Sequence, residues 1–248
     1  MIQSTTNPKL SVIKNFYADA KFRKSWDYFV LESKKSIEDL VWTQPDLIDY
    51  LLFPASQDPC PIPQAFAVDE RLLQDLSTLK TGPKWFAVVK KPPLPDLEIL
   101  LSAPCLVALD RIQNPANVGA IIRNAAAFEV SAVLLTSTCA SPFHPEAIRA
   151  SAAQVLRCPT LPLDDTLMKS LQTSGFHGYA LTTQAETAFK AITTHKNLYI
   201  FGSEAHGIED PLFTPMAPIP MAIPIHPKVD SLNVAVASGI VLCWERGR

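Results

Sequence analysis

The sequence predicts an α/β protein in two parts: a small mixed α/β unit, then an open parallel sheet covered by helices on both faces. Three observations carry this. From residue 103 onward, short and almost wholly apolar runs alternate with helical patterns. Strands that are apolar throughout belong to parallel sheets buried on both faces. The chain is 248 residues long, more than one average domain needs. Between the two patterns lies Lys90–Asp96, K-K-P-P-L-P-D, where proline fixes φ and stiffens the chain as a linker does. The expected organisation is a unit over residues 1–90, a proline-rich linker over 91–102 and a larger unit over 103–248.

In the first unit, Lys9–Ala20 places Leu10, Ile13 and Tyr17 along one helical face. Trp26–Leu31 reads as a strand, Ser36–Val41 as a helix and Leu47–Phe53 as a strand or helix edge. Asp69–Leu79 reads as a helix and Trp85–Val89 as the last strand. In the second unit the expected strands are Cys105–Leu109, Ala132–Thr136, Gly178–Leu181, Leu198–Phe201 and Pro220–Ile225. The expected helices are Ala116–Phe128, Pro145–Leu156, Asp165–Thr173 and Leu232–Glu245.

Composition narrows the function classes. Hydrophobic residues make up 48% and charged residues 19%, which gives a sizeable core and excludes a disordered chain. No apolar run approaches the roughly 20 residues that span a bilayer. The start, M-I-Q-S-T-T-N-P-K-L, lacks the basic-then-apolar order of a secretory leader. Five scattered cysteines with no C-x-x-C fit reduced thiols in the cytoplasm, and neither they nor the five histidines imply a metal. There is no G-x-G, no phosphate-binding G-x-x-x-x-G-K-[ST] and no G-x-S-x-G. A net charge of −2 gives no general argument for nucleic acid. Residues 1–35 are different: Lys9, Lys14, Lys21, Arg23, Lys24, Lys34 and Lys35 face only Asp19, Asp27 and Glu32. Such a local basic patch suits a phosphate backbone, and an ordinary solvated helix face is the competing reading.

Three polar blocks stand at the ends of apolar runs, where ligands bind in open α/β sheets. The first is N-P-A-N-V-G-A-I-I-R, Asn114–Arg123. Asn114 is placed as an N-cap with Pro115 behind it, and Val118, Ile121, Ile122 and Ala125 form the apolar face. Arg123 lies about 140° from Val118 at ~100° per residue, so it is not core. Gly119, one turn earlier on the same side, is expected to leave room for a substrate. The second block is F-G-S-E-A-H-G, Phe201–Gly207, in which Gly202 allows close backbone approach and Glu204 ends the strand with a carboxylate. The third is D-S-L-N, Asp230–Asn233. Asp230 or Ser231 is the expected cap of the last helix. Asn233, inside so apolar a first turn, points to function. Taken singly, each block also reads as an exposed arginine, a turn or a cap.

Together, in this order and spacing, the blocks resemble the three motifs of the SpoU/TrmH family, RNA 2′-O-ribose methyltransferases of the SPOUT class. The resemblance covers about residues 103–248. The stretch I-R-A-S-A-A, Ile148–Ala153, is similar to that family's R-A-S-x-G segment. S-T-T-N-P-K-L-S-V-I-K, with A-K-F-R-K and F-V-L-E-S after it, resembles the small L30e-like substrate-binding domain often fused ahead. The resemblance implies a trefoil-knotted parallel-sheet domain, S-adenosyl-L-methionine as cofactor, and a homodimer whose site draws on both protomers. It implies catalytic roles for Arg123, Asn117, Glu204, Ser231 and Asn233. It implies that the backbone of Gly202, Ile223 and Leu232 cradles the cofactor. Arg123 corresponds to the arginine at the ribose hydroxyl, as base or as phosphate clamp. The basic unit, through Lys9, Lys14, Lys21, Arg23 and Lys24, would hold the RNA, rRNA ahead of tRNA.

The sequence departs from that pattern mainly at glycines. Ala205 and Pro227 stand where the second and third motifs usually have glycine, and Ala235 where serine is usual. Glu129 follows Ala127-Phe128 where glycine is common, and Ala153 closes the fourth stretch in place of glycine. These changes leave a second reading open, a catalytically degenerate RNA-binding protein that keeps the fold. A small-molecule methyltransferase is disfavoured by the basic N-terminal unit.

Overall fold

The computed structural model describes residues 1–58, 61–77, 84–183, 185, 195–203 and 206–247. The chain divides into two units, Met1–Pro92 and Pro93–Arg248. In the first, helix α1 (Pro8–Ala18) begins where Asn7 Oδ1 accepts from the Lys9 N–H at 3.0 Å. It ends earlier than expected because the Asp19 carboxylate caps a separate helix, α2 (Ala20–Ser25), accepting from the Lys21 and Phe22 amides at 2.7 and 3.2 Å. The buried face of α1 is Leu10, Ile13 and Phe16. Tyr17, expected there, is half-buried and donates its hydroxyl to Glu32 at 3.1 Å.

The rest of this unit is β1 (Tyr28–Leu31), α3 (Lys34–Thr43), β2 (Ile48–Pro54), β3 (Ala65–Val68), α4 (Glu70–Leu76) and β4 (Phe86–Lys90). The sheet order is β1-β4-β2-β3. β4 is antiparallel to both of its neighbours, and β3 runs parallel to β2. The ambiguous segment near Leu47–Phe53 is thus a strand. β3 was not expected, since only four residues carry it and prolines precede them.

The second unit opens with α5 (Leu97–Ser102), a helix inside the stretch expected as linker. Then follow β5 (Cys105–Asp110), α6 (Pro115–Ala127), β6 (Val133–Leu135), α7 (Pro145–Ala150), β7 (Thr160–Pro162) and α8 (Asp165–Thr173). β8 (His177–Leu181), β9 (Asn197–Gly202), β10 (Ile219–Met221) and α9 (Val234–Arg246) complete it. The sheet is parallel throughout, in the order β10-β8-β9-β5-β6-β7. β5 and β9 pair over six residues, from Cys105–Asn197 to Asp110–Gly202, and are buried along almost their whole length.

The expected helix Pro145–Leu156 is broken. Ala152 (φ 49°) and Ala153 (φ 62°) are left-handed, so α7 stops at Ala150 and a single 3-10 turn follows at Gln154–Leu156. Glu129 is also left-handed (φ 58°), and its carboxylate pairs with the Arg246 guanidinium at 2.8 Å. Both Glu129 and Ala153 stand where the resemblance leads one to expect glycine, the residue that adopts this conformation freely. The expected strand Pro220–Ile225 shrinks to β10, because Pro224 has no N–H to give to a ladder.

Helix α6 packs closely on α7. A Cβ built on Gly119 would lie 2.2 Å from the Ala147 carbonyl oxygen, so the glycine serves helix contact and not substrate entry, correcting the expectation. α9 is fastened at both ends. Asn124 of α6 donates Nδ2–H to the Ala235 carbonyl at 2.8 Å and to Ser238 Oγ at 3.0 Å. At the far end Glu245 accepts from the Tyr199 hydroxyl at 2.6 Å and from Asn197 Nδ2 at 3.1 Å, both on β9.

A left-handed alanine costs roughly 1–2 kcal/mol that glycine avoids, less the entropy glycine adds to the unfolded chain. Ala152 is exposed and loses no packing. Ala152→Gly is expected to stabilise the protein by about 0.5–1 kcal/mol, read as a higher urea midpoint with an unchanged slope.

Candidate active site

The parallel strands deliver their C-terminal ends to one cavity of about 690 Å³. Ala180–Thr183 at the end of β8, Phe201–Ser203 at the end of β9, and Pro220 of β10 with Ile223 beyond it form three of its sides. Asp230, Ser231, Leu232 and Val234 at the start of α9 form the fourth. Gly202, Ile223, Leu232 and Ser231, singled out in the sequence, therefore share one cavity. Gly202 also has a packing reason: a Cβ there would lie 2.2 Å from the Gly207 carbonyl, because the loop doubles back on the strand. Ser203 and Gly207 hold that loop with mutual backbone hydrogen bonds of 3.1 and 2.9 Å. Glu204 and Ala205 lie outside the described residues.

Asn233 corrects the expected cap. It is itself the N-cap of α9, its Oδ1 accepting from the Ala235 and Val236 amides at 2.9 and 3.4 Å. Its Nδ2 donates to Asn117 Oδ1 of α6 at 3.2 Å, joining two residues 116 positions apart. Asn117 and Asn233 are thus held together beside the cavity wall formed by Leu232 and Val234. Asn114 caps α6 as expected, accepting from the Ala116 amide at 2.9 Å. Arg123 is not among the cavity's lining residues. It stands exposed on α6, away from the buried Val118, Ile121 and Ile122, with no hydrogen bond or ion pair among the described residues.

One residue that organises the site was not foreseen. Asp110, at the C-terminal end of β5, is fully buried. Its Oδ2 accepts from the Glu209 and Asp210 amides at 2.8 and 3.1 Å, tying down the segment that follows the Gly202–Gly207 loop. Its Oδ1 sits 3.3 Å from Arg111 Nε, an ion contact outside hydrogen-bond geometry. The Arg111 guanidinium also donates to Glu209 at 2.9 Å, and that bond raises the arginine pKa above its ordinary value. The available signal was a carboxylate ending a wholly apolar strand.

Residues 104–243 match the model of the SpoU rRNA Methylase family. The chain belongs to the SpoU family. A Synechocystis protein described as an uncharacterized tRNA/rRNA methyltransferase is 36% identical over 143 residues, which are 56% of this chain and 52% of that protein. The chain spans little more than half the length of that relative, and 58% of a Mycobacterium bovis protein described as an uncharacterized tRNA/rRNA methyltransferase. The Bacillus subtilis 23S rRNA (guanosine(2553)-2′-O)-methyltransferase RlmP is 24% identical over 99% of both chains. Two solved structures share the fold at a TM-score of 0.84. They are the AdoMet complex of the SpoU methyltransferase AviRb from Streptomyces viridochromogenes (19% identity, 97% of both chains) and an AdoMet-bound rRNA methyltransferase from Sinorhizobium meliloti (23% identity, 99% and 97%).

In this SpoU chain the five basic residues expected to hold RNA divide into two groups. Lys14, Lys21 and Lys24 are exposed. Lys9 is not free: its ammonium lies 4.3 Å from the Tyr50 ring centroid and 4.5 Å from that of Phe66. The Arg23 guanidinium donates to the Phe16 and Tyr17 carbonyls at 2.7 and 3.1 Å. Both hold the unit together.

Asp110→Ala orphans two amides and is expected to cost about 2 kcal/mol in chemical unfolding. Asp110→Asn is expected to cost less, because its amide oxygen still accepts.

Proposed function

We propose that this chain is an S-adenosyl-L-methionine-dependent RNA 2′-O-ribose methyltransferase acting on rRNA. The observation that carries the reading is the single cavity at the strand ends, shared by residues of the second and third motifs, with the Asn117–Asn233 pair at its edge. The residues fit the cofactor. Ile223, Leu232 and Val234 offer apolar walls for a purine, while Thr182, Ser203, Asp230 and Ser231 offer polar groups for the ribose and amino-acid portions. When bound, the cofactor supplies a methyl carbon activated by a sulfonium. The chain's own task is alignment, which can supply roughly 7–11 kcal/mol in a displacement of this kind. Ser231 and Asn233 orient the ribose, and Asn117 fixes the Asn233 amide. Glu204 belongs to this set by its motif position. The always-protonated guanidinium of Arg123 suits a phosphate clamp better than a base.

Arg123 reaches a reacting ribose most simply from the second protomer of a homodimer. On α9, Val236 (54% exposed), Ile240 (37%) and Cys243 form an apolar stripe beside α6, and such a face suits a subunit contact. The family's trefoil knot belongs to the same proposal. Lys14, Lys21 and Lys24 are assigned to RNA phosphates. The full-length match to the B. subtilis rRNA enzyme favours rRNA over tRNA. Among the described residues no helix is long and apolar enough to cross a membrane, and Cys139, Cys158 and Cys243 are free thiols, in keeping with a cytoplasmic protein. The degenerate reading has no support beyond the glycine changes, since each catalytic residue type of the motifs is present.

Arg123→Ala is expected to abolish methyl transfer to RNA while calorimetry still records S-adenosylmethionine binding. Near-normal turnover would overturn the assignment. Mixing inactive Arg123→Ala and Ser231→Ala chains is expected to restore part of the activity, because one composite site per mixed dimer is intact. Lys21→Glu with Lys24→Glu is expected to weaken RNA binding and flatten its salt dependence without changing cofactor affinity.

A further inference from the structure

The first unit carries a second groove, of about 700 Å³, that none of the motifs uses. One wall is α3, where Lys34, Glu38 and Trp42 recur every four residues and so share a face. The segment after β2, with Gln57 and Asp58, forms the other wall, and Trp85 forms the floor. The floor is fixed. Trp85 is 3% exposed, its ring packs 5.7 Å from Phe53, and its indole N–H donates to Gln57 Oε1 at 2.8 Å. The rim is the reverse: Trp42 is 80% exposed, more than any other large apolar side chain among the described residues.

Charge decides what such a groove accepts. Lys34 pairs with Glu38 at 3.7 Å and lies 5.2 Å above the Trp85 ring, so its ammonium is already engaged. Among the described residues that line the groove, Glu38 and Asp58 leave no positive excess to hold a phosphate. A flat π-system with N–H donors on one edge fits better, stacking on an indole and presenting that edge to carboxylates. Of the RNA bases, guanine carries adjacent N1–H and N2–H donors on its Watson–Crick edge.

We propose that this groove holds one unpaired guanine of the RNA substrate, stacked on Trp42 with its Watson–Crick edge toward Glu38 and Asp58. The proposal rests on the RNA reading above. It adds sequence readout, which phosphate contacts from Lys14, Lys21 and Lys24 do not supply. A basic side chain of a protein partner is the rival occupant, since an indole beside carboxylates also suits a guanidinium.

The test uses the full-length protein and fluorescence anisotropy of labelled single-stranded oligouridylate carrying one central guanosine or one central adenosine. Wild type is expected to prefer the guanosine strand. Trp42→Ala is expected to weaken guanosine-strand binding roughly 5- to 150-fold, the value of one base stack, with the salt slope and S-adenosylmethionine affinity unchanged. Glu38→Gln with Asp58→Asn is expected to erase the preference for guanosine. If Trp42→Ala bound both strands like wild type while Lys21→Glu with Lys24→Glu bound weakly, the groove would not read a base and the RNA reading would stand. If wild type bound neither strand, the RNA reading itself would fall. Loss of binding to an oligoarginine peptide in Trp42→Ala, with RNA binding intact, would assign the groove to a protein partner and overturn the proposal.

Discussion

The second unit depends on one buried charge. Asp110 ends the central strand β5 in full burial, where a carboxylate is tolerated only with partners. Two amides from Glu209 and Asp210 and the neighbouring Arg111 provide them. Meeting that requirement dictates the surrounding backbone. Arg111 is held left-handed at φ 54°, with its N–H on Thr136 Oγ1 at 3.1 Å. The chain leaving β9 must fold back over the end of β5. That return path is what makes the strand ends enclose a cavity in place of an open shelf.

The fourth side of the cavity is set by polar side chains in otherwise apolar helices. Asn124 holds the start of α9 to α6, and Glu245 holds its last turn to β9. Asn233 does two jobs with one amide: its oxygen caps the helix and its nitrogen meets Asn117. A capping residue has a defined position at the helix start. A residue that caps while reaching toward a site inherits that definition, so its direction does not depend on substrate. Preorganisation of this kind is what a reaction governed by alignment needs.

Much of this was legible beforehand, and the misses have physical causes. Strands β5 and β9 and helices α6 and α8 announced themselves because their apolar periodicity is long and uninterrupted. Short β3 and β7 did not, because prolines stand beside both and their pairing to β2 and β6 leaves no mark in the local sequence. α7 was overextended because alanine is a strong helix former, and nothing in A-S-A-A signals that Ala152 and Ala153 turn left-handed. Helical spacing alone suggests that Gly119 opens space for substrate, yet the atom that excludes a side chain is a carbonyl of another helix. Asn233 was marked as functional because it looked out of place inside a helix. The helix starts one residue after it, so the same amide is also an ordinary cap. Asp110 gives no decisive signal of its own, because the apolar run ends at Leu109 and a carboxylate after it fits a strand-end loop equally well. Arg123 was placed correctly off the apolar face, but sequence spacing in a single chain cannot say whose site it serves.

Helix α9 has a further consequence for biosynthesis. Asn197 and Tyr199 are polar groups within an apolar central strand, and their carboxylate partner Glu245 is made some 46 residues after Tyr199. Ser231, Leu232 and Asn233 likewise emerge after every strand of the sheet has been synthesised. A polypeptide still on the ribosome can therefore form most of the sheet while lacking one wall of its cavity. One wall of the cavity, with its Asn233–Asn117 contact, is absent until α9 docks on α6 and β9.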